Sequence, residues 1–129
     1  MRLVDDPAVN ENLYRRIGGA HGWVDRLPWD EHEWRRWADG CETHVVELGG
    51  EIVGFYELRR DGEAAEIAIF GVLAEHQSRG LGALALVEAT RRAFELGRPV
   101  KVNTNSTDSP HALHNYLARG FRVVEERGP

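Results

Sequence analysis

Residues 77–82 read Gln77-Ser78-Arg79-Gly80-Leu81-Gly82, between an apolar run ending at Leu73 and a helical pattern reaching Leu96. The stretch therefore marks a strand-to-helix turn. In the first turn of a helix the backbone N–H groups have no intrahelical partner, and the helix dipole favours an anion. Glycines at 80 and 82 keep Cβ atoms out of the path of an approaching phosphate. A phosphate-bearing ligand is expected at this turn. A tight turn that needs glycine only for packing is the simpler alternative, and the six residues alone leave it open.

Working outward, three strands precede the turn. Thr43 to Leu48 runs into the hairpin pair Gly49-Gly50, and Glu51 to Arg59 is closed by Asp61-Gly62. Glu63 to Leu73 follows, with Ile67 and Ile69 expected on one face and Glu66, Ala68 and Phe70 on the other. Both turns are too short for a crossover, so the strands pair antiparallel. Ser78 to Leu96 is the longest helix, stopped by Gly97. Pro99 to Asn105 reads as a strand, parallel to the third through the helical crossover. A helix capped by Ser109-Pro110 reaches Arg119, and Phe121 to Glu126 is the last strand.

Upstream, Asp6 caps a helix over Pro7 to Ile17, with Pro7 at its first position and Gly18-Gly19 at its end. Asp30 caps a second helix, and Glu33 completes a capping box. Trp34 and Trp37 share one face of it. The order predicts one α/β domain over residues 1–129, a mixed and mostly antiparallel sheet flanked by helices. Only Met1 to Val4 precedes the first helix, so an N-terminal strand is short or missing. An exposed sheet edge there is a route to a homodimer.

Composition narrows the function. The chain has 129 residues, 42% hydrophobic and 29% charged, with a net charge of −5. That argues against a broad nucleic-acid interface and mildly favours a cationic acceptor. Cys41 is alone, which excludes an internal disulfide and a Cys-rich zinc site. No apolar run is long enough to span a membrane, and a reducing, cytoplasmic setting is expected. His111 and His114 stand three apart without a placed third ligand, so no metal is expected.

Gly80-Leu81-Gly82-Ala83-Leu84-Ala85 also fits a dinucleotide-binding pattern. That pattern needs a parallel βαβ unit and an acid about 20 residues on. Here that position is Val100-Lys101, and the preceding strands are hairpin-linked, so the pattern is rejected.

Two blocks together resemble the GNAT superfamily of acyl-CoA-dependent N-acetyltransferases. The family's pyrophosphate motif, [Gln/Arg]-x-x-Gly-x-[Gly/Ala], is matched by Gln77, Gly80 and Gly82. A C-terminal block with a tyrosine before Gly-Phe is matched by Ala112-Leu-His-Asn-Tyr116-Leu-Ala-Arg-Gly120-Phe121. The resemblance covers about residues 43–126 and leaves the acceptor open.

The resemblance implies acetyl-CoA as co-substrate and a small-molecule or peptide amine as acceptor, joined in a ternary complex. It implies that the amides from Arg79 to Ala83, Leu81 and Gly82 among them, cradle the pyrophosphate, with Gln77 and Ser78 beside them. It implies that Val72 and Leu73 pair with pantetheine. Glu66 lies 11 positions before Gln77, as does the catalytic glutamate of the family's histone acetyltransferases, within the same Ala-Glu-Ile run. It is the candidate general base, Glu57 is its rival, and either is equally readable as a solvated or paired strand carboxylate. Tyr116 is the candidate acid for the leaving thiolate, or a ring that fills space beside the sheet.

The first two helices roof the acceptor pocket in this family. Trp29, Trp34, Tyr56, Glu57 and Asn103 are the candidate acceptor contacts, although Trp34 and Trp37 equally suit packing on the sheet. Ser109 stands where many members carry asparagine. It caps a helix equally well but puts a side-chain contact to pantetheine in doubt. The competing readings are a non-catalytic acyl-CoA-binding module, and a structural or dimerising domain with no ligand.

Overall fold

A computed structural model of the chain describes residues 2–19, 23–73 and 80–102. The expected helix after Ser109, the last strand and the start of the pyrophosphate turn lie outside these residues.

Helix α1 (Pro7–Gly18) starts where Asp6 accepts from the Ala8 amide at 3.0 Å, with Pro7 at its first position. Helix α2 (Glu31–Asp39) carries the full capping box: Asp30 accepts from the Glu33 amide at 2.9 Å, and Glu33 accepts from the Asp30 amide. Both caps follow from short oxygen-bearing side chains satisfying orphan amides. Gly18 remains helical rather than ending α1 by a left-handed turn. A Cβ there would lie 2.7 Å from Cε3 of Trp23, so close approach of the indole is what requires glycine.

The sheet has strand order β1-β2-β3-β4-β5, with β1 (Arg2–Val4), β2 (Glu42–Leu48), β3 (Glu51–Asp61), β4 (Ala64–Val72) and β5 (Val100–Val102). The first three pairings are antiparallel, and β4 pairs β5 in parallel. The N-terminal strand is present and three residues long. Helix α3 (Leu81–Leu96) makes the crossover between the parallel strands.

The sheet is covered on both faces. Leu13 and Ile17 of α1 pack with Val45, Phe55 and Leu73 on one. Leu86, Ala89 and Ala93 of α3 pack with Tyr56, Leu58, Ala65 and Ile67 on the other. Alanines on α3 let the helix sit close to the strands.

One expectation is corrected in β4. Glu57 opposes Ile69 while Leu58 opposes Ile67, so Ala68 is an extra residue without an opposite number. This β-bulge breaks the two-residue alternation. Ile67 joins the α3 side, whereas Ile69 packs with the α1 cluster. Phe70 joins the α3 side, away from Glu66, which opposes Arg59. Glu57 and Glu66 thereby share the face roofed by α1 and α2. No helix among the described residues is long and apolar enough to cross a membrane.

Candidate active site

Glu57 is fully buried in the middle of β3. Its Oε1 accepts from Nη1 of Arg26 at 2.9 Å and from Nε1 of Trp37 at 2.7 Å. Its Oε2 accepts from Nδ2 of Asn10 at 2.6 Å, and Asn10 donates its second amide hydrogen to Thr43 at 2.8 Å. A buried carboxylate persists when charge-assisted bonds replace its water, and here three elements supply them. Arg26, between α1 and α2, lies over the rings of Tyr14, Trp29, Trp34 and Trp37, at 4.3 Å from the Trp37 centroid. Sequence reading missed Asn10 and Arg26, and placed Trp37 on an aromatic face without its bond to Glu57. Neither Arg26 nor Asn10 stands in a motif, and their meeting point is set only by how α1 and α2 fold over the sheet.

Glu66 is 7% exposed, near the start of β4. Nε of Arg59, its cross-strand neighbour, donates to it at 2.7 Å. The Arg59 guanidinium also lies 5.3 Å from the Trp37 ring centroid. Trp37 thus stands between two guanidinium groups, a favourable use of its ring faces, while its N–H holds Glu57.

An open cleft of about 310 Å³ adjoins this array. Trp29, Glu33, Arg36, Trp37, Cys41 and Arg59 line it. Of the expected acceptor residues, Trp29 reaches the cleft, and Trp34 is buried beside it with its ring 5.0 Å from that of Trp29. Tyr56 projects from the other face, buried against the α3 core and stacked on His44 at 4.9 Å. Asn103 lies outside the described residues. Burial, then the charge of Glu57, pushes the Cys41 thiol up to about 11, which keeps it protonated at neutral pH.

The expected cofactor residues lie at the opposite end of β4. Val72 and Leu73 are buried, and the Leu73 amide is spent on Val53 O at 2.7 Å. Among the described residues, β5 pairs with β4 only over Ala65 to Ile67. Gly80 adopts φ 76°, the left-handed region that favours glycine, immediately before α3. Among the described residues a Cβ on Gly80, just before the first turn of Leu81, Gly82 and Ala83, would meet nothing within 4 Å. That space and the unshared amides suit a pyrophosphate. Gln77, Ser78, Arg79, Ser109 and Tyr116 lie outside the described residues.

A bulged strand beside a parallel neighbour, with a left-handed glycine opening the crossover helix, makes an α/β scaffold with a turn suited to phosphate. The chain belongs to the acetyltransferase (GNAT) family, whose model matches residues 10–121. It is an acyltransferase by that membership.

Solved structures share the fold. An IAA acetyltransferase from Bacillus cereus is 22% identical, with a TM-score of 0.75 over 96% of this chain and 77% of that one. An acetyltransferase from Bacillus subtilis, in complex with CoA, is 24% identical, with a TM-score of 0.72 over 94% and 74%. A GNAT family acetyltransferase from Elizabethkingia anophelis with acetyl-CoA bound is 23% identical, with a TM-score of 0.65 over 74% and 63%. None of the curated proteins matches the chain.

Proposed function

We propose that the protein transfers an acetyl group from acetyl-CoA to the primary amine of a small molecule or peptide, by direct attack in a ternary complex. The observation that carries this reading is the contrast between the two carboxylates on the roofed face. Glu57 is fully buried under bonds from Asn10, Arg26 and Trp37, whereas Glu66 is paired with Arg59, a residue that lines the open cleft. This favours Glu66 over Glu57 as the base.

Acetyl-CoA supplies the activated acetyl thioester. The amides of Gly80 to Ala83, with Gln77, Ser78 and Arg79, hold its pyrophosphate. Val72, Leu73 and Ser109 lie along its pantetheine arm. An amine reaches the site as an ammonium and must lose a proton before it can attack, and Glu66 takes that proton directly or through water. A backbone N–H of β4 polarises the thioester carbonyl. Tyr116 returns a proton to the sulfur as the C–S bond breaks. The protonated Cys41 is consistent with a path that has no acyl-enzyme.

Calorimetric titration with acetyl-CoA, CoA and NAD tests the cofactor. Thiol release over a panel of amines then tests turnover. Micromolar binding of acetyl-CoA with NAD silent, followed by amine-dependent thiol release, is the expected result. Binding without thiol release for any amine would leave a non-catalytic acyl-CoA-binding module. Glu66→Gln is expected to keep binding and lower kcat by about 10²-fold; an unchanged kcat removes Glu66 from the mechanism.

A further inference from the structure

The cleft lined by Arg59, the partner of Glu66, has an uneven chemistry. Among its described lining residues the one carboxylate is Glu33, whose Oε1 accepts from the Asp30 amide at 3.4 Å and which two arginines outnumber. The cleft's two cations are not similarly spent. Arg59 gives Nε to Glu66, and no hydrogen bond from its terminal nitrogens is found among the described residues. Arg36, an exposed residue of α2, has no ion pair among them either. In a chain of net charge −5 this cleft is a local concentration of available guanidinium donors. A guanidinium fork matches a carboxylate in two parallel bonds. The remaining wall is the indole pair Trp29 and Trp37, with centroids 5.8 Å apart.

Arg59 connects this cleft to Glu66 through a single 2.7 Å bond. A carboxylate on the terminal nitrogens of Arg59 would therefore lie close to Glu66, the proposed base. An acceptor that spans both must carry its amine and its acid close together. The volume of about 310 Å³ suits one amino acid.

We infer that the acceptor is a free amino acid with an apolar, ring-bearing side chain. Arg59 and Arg36 bind its carboxylate, Trp29 packs its ring, and its amine faces Glu66. This inference rests on the amine-acetylation reading and names the substrate class of that site.

The test compares phenylalanine with phenethylamine, and tryptophan with tryptamine, in acetyl-CoA-dependent thiol release. Each pair differs only by the carboxylate. The amino acid is expected to exceed its decarboxylated partner in kcat/KM by roughly 10- to 100-fold, the scale of a charge-assisted bond. Arg59→Met and Arg36→Met are expected to shrink that ratio through KM for the amino acid, with KM for acetyl-CoA unchanged. Arg36 is exposed, so its variant keeps the test valid if Arg59→Met fails to fold. Equal or better use of phenethylamine and tryptamine overturns the inference and leaves amine acetylation standing. So does acetylation of other amines with all four probes inert, or an arginine effect seen only in KM for acetyl-CoA. Failure of acetyl-CoA to bind fells the amine-acetylation reading, and the inference with it.

Discussion

Glu57 and Glu66 are the same side chain on the same sheet face in different surroundings. Glu57 has no solvent and three donors, so its loss strands Arg26 as a buried cation among four rings. Glu57→Gln is therefore expected to destabilise the fold by about 3–5 kcal/mol, read as a fall in the denaturation midpoint. Glu66→Gln should cost less, because its partner Arg59 is partly exposed, and should act mainly on turnover. Equal stability losses in the two variants would contradict this division. Cys41 adds a chemical probe. With its thiol pushed up to about 11, alkylation by iodoacetamide at pH 8 should run about 100-fold slower than for an ordinary thiol, and should accelerate as pH rises towards 11. Labelling at the ordinary rate would mean the thiol is neither buried nor near Glu57.

Between elements, the start of β2 is tied to α3 by a forked pair. Nε and Nη2 of Arg92 donate to Oε1 and Oε2 of Glu42 at 3.0 and 2.5 Å. The bond from Arg92, with help from His44, holds the Glu42 carboxyl below its usual value. A carboxylate lowered in the folded state contributes stability above its unfolded value and loses it as pH falls through the folded one. Both side chains are partly exposed, so the contribution is about 1 kcal/mol or less. Glu42→Gln should lower the Tm at pH 7 and converge with the unaltered protein in acid below the carboxylate range. A constant difference across that range would show that the effect is packing rather than charge. The bulge at Ala68 works at this scale too. By shifting the register once, it turns Glu66 and Glu57 to the same roofed face and sends Phe70 to the α3 core.

For the whole molecule, a ligand that binds only the folded state raises stability by mass action. Acetyl-CoA at 100 times its Kd should add about 2.7 kcal/mol, seen as an upward shift of Tm by several degrees. Gly82→Val should abolish that shift, because a branched side chain enters the pyrophosphate space at the first turn of α3. A shift that survives in Gly82→Val would place the cofactor elsewhere.

Much of this protein is written locally. Asp6-Pro7 and Asp30 with Glu33 mark helix starts because a cap needs only neighbouring residues. The short turns around Gly49-Gly50 and Asp61-Gly62 allow only antiparallel pairing, and β2 to β4 pair that way. Gln77, Gly80 and Gly82 point to the family because a phosphate cradle is one contiguous turn. The acceptor side is different. Asn10, Arg26, Trp37, Glu57, Arg59 and Glu66 come from two helices, a loop and two strands, with up to 47 positions between bonded partners. Nothing in the run Ala65 to Phe70 announces the bulge that turns Glu66 to face Arg59, and strand alternation sets Tyr56 opposite Glu57 without saying which face α1 and α2 roof. Local capping and turn chemistry settled the elements. Only the packing of α1 and α2 over a bulged sheet decided which carboxylate is buried among donors and which stands beside the cleft.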